Sequence, residues 1–466
     1  MGRRFSQIYT DNILIHELKH PDNLRSSASK KEIPILPSCG LRVATDKGLM
    51  TNDKGYIPMA RDHRKIKYLL LVGDGMADYP LKELGGKTPL EKAETPHMDR
   101  IAACRVGLVK TIPEGMDPGS DVANLSVLGY DPRKYYTGRA PLEAASMGVT
   151  LGSKQVAFRM NLVTLDVRSD REIIMISHSA GDISTEESVQ IVEDLKEEID
   201  LPGIEIYAGV AYRHLLLWEN APEDAVAIPP HDVLDQNMAS YLNHSSGNPV
   251  PELIQRSWGI LKDHPINVER RRTGVYEANS IWLWGQGKTP RLPLFSDKYG
   301  LEGGVISAVD LVKGIGVCIG FTPIHVQGAT GYLNTNYQGK AEAALKGLAS
   351  LDFIFLHVEA PDEAGHNANY REKIEAIENF DVKVVGTILE RLEDFEDYRI
   401  MVVSDHLTPI AKRTHTDEPT PFAWASKREL ESNPKRSHFS EAAARESGLM
   451  FGVGHELIEA FLSEQL

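Results

Sequence analysis

The chain has 466 residues, of which 42% are hydrophobic and 25% are charged, and its formal net charge is −15. This length predicts two domains, or one domain with a large insertion, and the apolar fraction is enough for a full core. The acidic balance argues against nucleic acid or an anionic membrane as a partner, because both need a basic surface. A small anionic substrate stays compatible, since a few local cations can reverse the field inside a cleft.

Cysteine usage indicates a reducing compartment, and hydropathy indicates that the chain has no membrane span. The three cysteines, Cys39, Cys104 and Cys318, contain no C-x-x-C pair and make no disulfide framework. No apolar run approaches about 18 residues, so we expect no membrane span. The N-terminal stretch MGRRFSQIYTDNILIHELKH has early charge but no continuous apolar segment, which makes it a poor secretory signal. We therefore expect a cytoplasmic protein, and the sequence leaves its oligomeric state open.

The N-terminal part of the chain differs from the rest. Residues 1–65 have mixed polarity and weak periodicity, and we interpret them as an extension of unknown role or as a small structured lobe. The first strong pattern is the apolar run Ile66–Val72, which stops at Gly-Asp-Gly. Such a run is typical of a central parallel strand that is covered on both faces and ends in a functional loop. A helix follows in TPHMDRIAAC, with Thr95 as N-cap and Pro96 in its first turn.

Between residues 154 and 279 the pattern changes. We predict a strand pair in VAFRMNLVTLDV and REIIMISHSAG, and a return to strand in GIEIYAGVAYRHLLLW. An amphipathic helix is predicted in STEESVQIVEDLKEEI, beginning with a capping box formed by Ser184 and Glu187. We expect residues 154–279 to form an inserted α+β domain that binds substrate or acts as a lid.

The alternation of strands and helices resumes at SIWLWGQG. We predict a strand and a helix in EGGVISAVDLVKGIG, a helix and a strand in AALKGLASLDFIFLHVEAP, one long helix in YREKIEAIENFDVKVVGTILERL and a strand in YRIMVVSDHLTP. Residues 66–153 and 280–466 are therefore predicted to form one α/β core, a mostly parallel sheet flanked by helices.

Three predicted strands end in residues of the kind that bind metal ions. Asp74 follows the first, Asp362 and His366 follow the second, and Asp405 and His406 follow the third. Ligands of open parallel sheets bind just outside the carboxyl ends of the strands, and carboxylate oxygen with imidazole nitrogen suits Mn²⁺ or Zn²⁺. Simpler alternatives stay open for each residue alone: Asp74 as a helix N-cap, and the Asp-His pair as a chance neighbour pair.

A nucleophile is available in DPGSDVANLSVLGYDP. Ser120 stands in a Gly-Ser turn before a predicted helix start, where anions are favoured, and metal coordination would lower the pKa of its hydroxyl. Two metal ions beside such a serine are the arrangement for phosphoryl transfer. The alternative is that Ser120 is a simple N-cap, a role that Asp121 can share. A single histidine such as His415, taken alone, is more often a surface or core residue than a metal ligand.

The chain resembles a known family. The motifs that carry the resemblance occur in one order between residues 66 and 466: DGMAD, KTPLEKAETPHMD, PGSD, LGYDPRKYYTGRAPLEA, GATGYLNTNY, EAPDEAGH, and SDH followed by THTDEPTPF. They resemble the alkaline phosphatase superfamily and, more narrowly, the archaeal-type 2,3-bisphosphoglycerate-independent phosphoglycerate mutases. The resemblance implies an alkaline-phosphatase-like α/β fold and two divalent ions, Mn²⁺ or Mg²⁺ with Zn²⁺ as a further option, and no 2,3-bisphosphoglycerate cofactor.

The resemblance also implies two ligand sets. The first ion would be held by Asp362, His366 and His415. The second ion would be held by Asp74, Ser120, Asp405 and His406. Ser120 would take the phosphoryl group of 3-phosphoglycerate, a small phosphorylated metabolite, and pass it to the 2-hydroxyl of the bound glycerate.

Further residues are expected to contact substrate. Lys313 would assist the phosphoryl group and Arg213 would pair with the substrate carboxylate, unless Arg213 is a solvated surface residue. Asp121 and Asn124, in the stretch Ser120–Asn124 that is compared with the family pattern, are further candidates for substrate binding.

One position departs from the family pattern. The mutases typically have Ser-Asp-x-Ala-His, whereas this chain has Asn124 at the last place. Asparagine keeps hydrogen bonding but cannot carry a proton or a positive charge. Homoserine kinase activity on the same site therefore stays as an alternative to mutase activity, with phosphomonoester hydrolysis as a third. A metal-stabilised scaffold is the fourth, which an intact Ser120 disfavours because structural metal sites need no nucleophile.

Overall fold

The structure is a computed structural model that describes residues 66–199, 201–223, 225, 227–243, 248–432 and 437–463. The predicted N-terminal extension, residues 1–65, and Cys39 lie outside the described residues. Cys104 and Cys318 are free thiols. No helix in the described part of the chain is long and apolar enough to cross a membrane.

The described residues form thirteen strands in two sheets. The strands are β1 (Ile66–Gly73), β2 (Val106–Val109), β3 (Gln155–Ser169), β4 (Glu172–Ser177), β5 (Ile204–Val210), β6 (Arg213–Glu219), β7 (Ser280–Gly287), β8 (Gly303–Ile306), β9 (Thr322–Pro323), β10 (Phe353–Val358), β11 (Asp397–Val403), β12 (Thr420–Ser426) and β13 (Met450–Phe451).

Eighteen α-helices connect and cover these strands within the described ranges. They are α1 (Pro89–Lys92), α2 (Pro96–Ala102), α3 (Ser120–Val127), α4 (Pro132–Tyr135), α5 (Arg139–Ser146), α6 (Thr185–Glu198), α7 (Ala239–Asn243), α8 (Val250–Leu261), α9 (Pro265–Thr273), α10 (Phe295–Tyr299), α11 (Asp310–Cys318), α12 (Tyr337–Leu348), α13 (Ala360–His366), α14 (Tyr370–Asn379), α15 (Thr387–Leu392), α16 (Lys427–Glu431), α17 (Glu441–Glu446) and α18 (Leu457–Ser463). Short 3₁₀ segments lie at Lys82–Leu84, Pro230–Val233 and Gly454–Glu456, and a π-helix lies at Phe380–Gly386.

The large sheet has β1 near its middle. Its eight strands lie in the order β13-β2-β12-β11-β1-β10-β8-β9. β1 pairs in parallel with β10 on one side and β11 on the other, while β12 runs antiparallel to both of its neighbours. This arrangement confirms the predicted α/β class with a mostly parallel sheet. Because β1, β10 and β11 run in the same direction, their carboxyl ends reach the same edge of the sheet.

β1 is buried on both faces, as its continuous apolar run predicts. Leu69 and Leu71 pack into one hydrophobic cluster with Leu345 of α12, whereas Leu70 packs into a second cluster with Ile315 of α11. Successive side chains of a strand point to opposite faces, so the two clusters lie on the two sides of the sheet. Each fully buried leucine contributes about 1.5–3 kcal/mol, and β1 is therefore held in place from both sides.

The second sheet has five strands and is antiparallel. β3 pairs with β4, which confirms the predicted strand pair, and it also pairs with β6 and β7. β7 thus belongs to the second sheet, although SIWLWGQG was expected to open the return to the large one. The chain rejoins the large sheet only at β8. The division into a core and an inserted domain, residues 154–279, stays a prediction.

Three helix predictions need correction. The capping box of α6 is half formed: Ser184 accepts the Glu187 amide at 3.2 Å, but the Glu187 carboxylate bonds to Arg270 Nη1 at 2.6 Å instead of returning to the N-cap amide. Thr95 precedes α2 without capping it, and its hydroxyl donates to the Asp99 carboxylate at 3.1 Å. The predicted long helix consists of α14, the π-helix and α15 in direct succession. In α6 the Glu187 carboxylate is bound by Arg270, and before α2 the Thr95 hydroxyl is bound by Asp99. Neither polar group is therefore left to cap its helix.

Candidate active site

The loops after β1, β10 and β11 bring the predicted ligand side chains to one edge of the large sheet. Asp74 directly follows β1, and Asp405 and His406 follow β11. α13, which begins just after β10, carries Asp362 and His366. Asp74 is followed by a turn and not by a helix, so the N-cap alternative does not apply to it.

The first ligand group is Asp362, His366 and His415. The two histidine Nε2 atoms lie 2.9 Å apart, and they lie 3.2 and 3.4 Å from the Asp362 oxygens. His366 Nδ1 donates to Arg413 O at 3.0 Å and His415 Nδ1 donates to Pro118 O at 3.4 Å, so the neutral form of either ring has its lone pair on Nε2. Two lone pairs at this separation repel each other unless a proton or a cation lies between them.

The second ligand group contains Asp74, Asp405 and His406, with Ser120 beside it. His406 Nε2 lies 3.3 Å from Asp74 Oδ1 and 3.6 Å from Asp405 Oδ2. Ser120 Oγ lies 3.1 Å from His406 Nε2 and 3.5 Å from Asp74 Oδ2. Gly119 is the N-cap of α3 and Ser120 is its first residue, so the serine does not serve as the cap.

One threonine hydroxyl orients a ligand in each group. Thr408 Oγ1 donates to Asp362 Oδ1 and accepts from His406 Nδ1, which lies 3.3 Å away. The remaining lone pair of His406 is therefore on Nε2, the atom that faces Ser120. The rings of His406 and His415 are 4.1 Å apart between centroids. The two groups consequently form one continuous site.

The backbone of the loop after β1 contributes to the same site. The Gly75 amide donates to Asp405 Oδ1 at 3.1 Å, and Gly75 has a φ of 59°, in the left-handed region. A Cβ at this position would lie 2.7 Å from Asp362 Oδ1 and closer still to Thr408 Oγ1. Only glycine allows the turn to approach both ligand groups in this way.

Buried charge dominates the electrostatics of the site. Burial raises the pKa of Asp74 well above its usual range, and the nearby charges of Asp405 and Asp362 add to this. Burial also raises the pKa of Asp405 and lowers that of His406 well below its ordinary value. Burial alone would raise the pKa of Asp362 too, but His415 and His366 hold it well below its usual range.

The donor set fits divalent cations. Crowded carboxylates and imidazole lone pairs without a counter-ion are unfavourable, and a divalent cation in each group would relieve both problems. Oxygen and nitrogen donors of this kind suit Mn²⁺ or Zn²⁺. The roles of these residues as ligands stay a prediction.

Asp121 is occupied by neighbouring donors. Its carboxylate is buried and accepts the Tyr136 hydroxyl at 2.6 Å and Arg139 Nε at 3.0 Å. Burial would raise its pKa, but the charge of Arg139 lowers it overall. The guanidinium of Arg139 in turn lies beside Gly119, directly before the candidate nucleophile. Asp121 is therefore paired with the arginine that lies beside Gly119, and its expected contact with substrate stays a prediction.

Asn124 is fully buried and faces a candidate ligand. Its Nδ2 donates to Ser120 O at 2.8 Å and to Asp405 Oδ2 at 2.9 Å. These contacts connect the first turn of α3 to the loop after β11. Its expected contact with substrate stays a prediction.

The two predicted cations lie in different settings. Arg213 begins β6 in the second sheet, is exposed and stacks over Tyr212 at 5.2 Å. Burial raises the pKa of Glu363, the neighbour of Asp362, and the positive charge of Arg213 is the smallest of the influences that oppose this rise. Lys313 pairs with Asp310 of its own helix at 2.7 Å, and its described contacts include neither ligand group. Among the described residues, no side-chain hydrogen bond or ion pair joins Arg213 or Lys313 to either ligand group, and their contact with substrate stays a prediction.

Sequence reasoning missed a pair of arginines on one indole ring. Arg159 lies 4.0 Å over the Trp284 ring and Arg139 lies 6.0 Å from it. Arg159 Nε also bonds to Glu143 Oε2 at 3.0 Å. The available signal was a single arginine in the middle of the otherwise apolar stretch VAFRMNLV. Through Trp284 of β7 and Arg159 of β3, these ring contacts join Arg139, which lies beside Gly119, to the second sheet.

Two further residues were passed over in a motif that was otherwise used. His357 and Glu359 precede Asp362 in HVEAPDEAGH and, with Asp74, form a third group of ligand-type side chains. Their signal was their place in the same strand-end motif.

Fold and site together define a class: an α/β protein with a candidate dinuclear metal centre at its parallel strand ends and a serine at the edge of that centre.

Comparisons with known proteins identify the family. Residues 102–267 match the family model described as 2,3-bisphosphoglycerate-independent phosphoglycerate mutase, and residues 235–429 match that of type I phosphodiesterase / nucleotide pyrophosphatase. A probable 2,3-bisphosphoglycerate-independent phosphoglycerate mutase of Geobacter sulfurreducens is 50% identical over 399 residues, which cover 85% of this chain and 100% of the relative. The corresponding mutase of Methanothrix thermoacetophila is 48% identical, with the same coverage. The solved structure of the PH0037 protein from Pyrococcus horikoshii has a TM-score of 0.71 at 31% identity and covers 86% of this chain and 99% of its own. The chain belongs to the 2,3-bisphosphoglycerate-independent phosphoglycerate mutase family, as its motifs predict.

Proposed function

We propose that this protein interconverts 3-phosphoglycerate and 2-phosphoglycerate in the cytoplasm through a phosphoserine at Ser120. The observation that carries the proposal is the position of Ser120 Oγ, 3.1 Å from His406 Nε2 and 3.5 Å from Asp74 Oδ2. The family membership supports the choice of substrate, since relatives that are 48–50% identical carry the mutase name.

Two divalent ions, Mn²⁺ or Mg²⁺, complete the proposed site. One would be held by Asp362, His366 and His415. The other would be held by Asp74, Ser120, Asp405 and His406. When bound, the ions lower the pKa of the serine hydroxyl and offset the negative charge of the phosphoryl oxygens. No 2,3-bisphosphoglycerate is needed, because the serine itself carries the phosphoryl group between the two positions.

The reaction proceeds in two balanced transfers. In the first, Ser120 Oγ attacks the phosphorus of 3-phosphoglycerate, the bond between phosphorus and the C3 oxygen breaks, and the serine proton ends on that oxygen. The bound glycerate then reorients. In the second transfer its 2-hydroxyl oxygen attacks the phosphoserine, the bond between Oγ and phosphorus breaks, and the proton of the 2-hydroxyl returns to Ser120. The amide groups at the start of α3 favour the phosphoryl anion throughout.

The arginines supply the remaining charge complementarity. In this proposal Arg139, which Asp121 holds beside Gly119, contacts the phosphoryl group, and Arg159 and Arg213 of the second sheet bind the carboxylate bidentately. Residues 154–279 thereby act as a substrate-binding or lid domain. Closure of this domain over the cleft would keep water from the phosphoserine.

The kinase alternative rests on Asn124. Its Nδ2 bonds to Ser120 O and Asp405 Oδ2, which supports a role in orienting a ligand rather than in selecting the phosphoryl donor. The presence of Asn124 where the family pattern has histidine is therefore weak support for homoserine as the substrate.

A pair of substrate assays tests the proposal. Mn²⁺-loaded protein should convert 3-phosphoglycerate to 2-phosphoglycerate, followed by ³¹P NMR, and should leave homoserine unchanged in the presence of ATP. Ser120→Ala should abolish the conversion, whereas Ser350→Ala, at an exposed serine, should retain it. Turnover of homoserine without turnover of 3-phosphoglycerate would contradict the proposed substrate. Full activity of Ser120→Ala would contradict the phosphoserine.

A further inference from the structure

A cavity of about 410 Å³ lies at the edge of the large sheet where β11 begins and β12 ends. Three arginines line it: Arg105 directly precedes β2, Arg399 lies in β11, and Arg428 lies in α16. Ser426, the last residue of β12, pairs with Arg399 across the two strands and also lines the cavity. The volume of the cavity falls within the range of small-molecule sites, about 300–1,000 Å³.

Positive charge prevails among the described residues that line the cavity. Glu429 supplies one carboxylate against the three guanidinium groups. Glu429 Oε1 lies 3.3 Å from Arg105 Nη2, and Glu429 Oε2 accepts the amide and the hydroxyl of Ser426, each at 2.8 Å. Arg428 is exposed, and its side chain has no hydrogen bond or ion pair with the described residues. A local excess of cations in a chain whose net charge is −15 favours an anionic ligand.

An indole N–H without a partner indicates the same class of ligand. Trp424 lines the cavity and is only 4% exposed, and the guanidinium of Arg105 lies 5.1 Å from its ring centroid. Trp424 Nε1 has no hydrogen bond to the described residues, and it is not among their fully enclosed polar atoms, so this N–H reaches the cavity. An indole nitrogen can only donate, and a buried tryptophan usually has an acceptor. A ligand with acceptor oxygens would supply one.

Two of the arginines are held in place by the protein. Arg399 is buried, and its Nη1 donates to Phe461 O of α18 at 2.7 Å. Arg105 is held by Glu429 and lies over the Trp424 ring. Because these guanidinium groups are already ordered, less conformational entropy is lost when they bind a ligand.

The cavity is remote from the candidate reaction centre. Arg399 is the third residue of β11, whereas Asp405 follows the end of the same strand. Six residues at about 3.3 Å each separate the two positions by about 20 Å along the strand. The cavity and the reaction centre therefore lie at opposite edges of the large sheet, and a ligand in one does not contact the other.

We propose that this cavity binds a small molecule that carries a phosphate group. A phosphate has a charge of about −1.5 to −2 at pH 7 and three acceptor oxygens, which match the excess of cations and the separate donors of Arg105, Arg428 and Trp424. Guanidinium groups also bind phosphate oxygens bidentately. The inference does not rest on the proposed function, because it shares no residue with the reaction centre.

The indole signals in a ¹H–¹⁵N NMR spectrum test the site on the full-length, metal-loaded protein. The chain has five tryptophans, and Trp424→Phe assigns the Trp424 signal by its loss. AMP and inorganic phosphate should shift this signal in a saturable manner, whereas adenosine, or sodium chloride at the same ionic strength, should not. Tighter binding of AMP than of phosphate would assign the rest of the cavity to the organic part of the ligand, and equal affinities would assign the site to the phosphate group alone.

Arginine variants connect the shift to the cavity. Arg105→Gln and Arg428→Gln should each raise the apparent dissociation constant of AMP about tenfold or more, since each removes a charge-assisted hydrogen bond. The matched control Arg291→Gln, at an exposed arginine, should leave it unchanged. The indole signals of the other four tryptophans report whether each variant is folded, and Arg428 is exposed, so its replacement leaves the core intact. No shift of the Trp424 signal with AMP or phosphate, an equal shift with sodium chloride, or unchanged affinity in both arginine variants would overturn the inference and leave the proposed reaction untouched.

Discussion

Replacing Gly75 by alanine should damage stability and metal binding together. Alanine at a φ of 59° costs about 1–2 kcal/mol, because its Cβ crowds the backbone in the left-handed region. The added Cβ would also lie 2.7 Å from Asp362 Oδ1 and 2.9 Å from Asp362 Cα, so the loop must shift, which costs about 1–3 kcal/mol more. The expected loss in the free energy of unfolding is therefore about 2–5 kcal/mol.

The chain offers a matched control at Gly85. Its φ is 69° and nothing lies within 4 Å of the place that an added Cβ would take, so Gly85→Ala should cost only the conformational part, about 1–2 kcal/mol. Urea titration of the metal-free proteins, followed by tryptophan fluorescence, measures both losses. Because the Gly75 amide donates to Asp405 Oδ1 and an added Cβ would meet Thr408 Oγ1, Gly75→Ala should also weaken Mn²⁺ binding by about 10–100-fold in calorimetry, and Gly85→Ala should not. Equal unfolding losses and equal Mn²⁺ affinities would refute the steric reasoning.

Three further predictions concern a buried ion pair, a buried acid and an arginine. Lys373→Met should lower the free energy of unfolding by about 3–5 kcal/mol, since it leaves Asp78 without the ammonium that lies 2.6 Å away. In urea titrations Asp78→Asn in the same chain should recover part of this loss, and fully additive losses would argue against the pair. Burial raises the pKa of Asp381 from its ordinary 3.8 to about 7, so the folded protein favours the protonated carboxyl group. The stability that this protonated group contributes is fully present below about pH 4 and is lost as the pH rises through 7. Asp381→Asn should remove this part of the pH dependence of unfolding, and an unchanged profile would speak against the raised pKa. Arg159→Lys should raise KM for 3-phosphoglycerate about tenfold with a smaller change in kcat, because lysine cannot form a bidentate pair; steady-state kinetics with an unaltered KM would exclude that contact.

The strand-end residues could be predicted because two strong signals coincide there: a long apolar run, and a ligand-type side chain directly after it. Asp74 and Asp405 each follow a long apolar run, and such runs are typical of central parallel strands whether or not their neighbours are known. Parallel strands then place their carboxyl ends on one edge, so the gathering of ligands follows from topology alone.

Residues whose roles depend on distant partners could not be predicted in the same way. Asn124 donates to Asp405 Oδ2, and this contact could not be predicted because Asp405 is remote in sequence. Arg159 acquires its place from Trp284 on another strand. Local patterns state which side chains are polar, and tertiary pairing decides what each polar side chain meets.

The same limit explains the misplaced strand and the incomplete capping box. The apolar pattern of β7 is compatible with either sheet, and only its pairing with β3 assigns it to the second one. Glu187 has the correct spacing to close the box with Ser184, but a guanidinium at 2.6 Å is a stronger partner than a backbone amide. In both cases a contact far along the chain overrides a valid local preference.

The distribution of the ligands along the chain has a consequence for biosynthesis. Asp74 leaves the ribosome early, whereas Asp405, His406 and His415 come from the last part of the chain. At usual elongation rates of about 5–20 residues per second, tens of seconds separate the two events. A nascent polypeptide therefore cannot complete the first of the two proposed reaction-centre ligand sets before His415 is synthesised, nor the second before His406. Loading of the reactive centre is thereby confined to chains that already contain these C-terminal ligands.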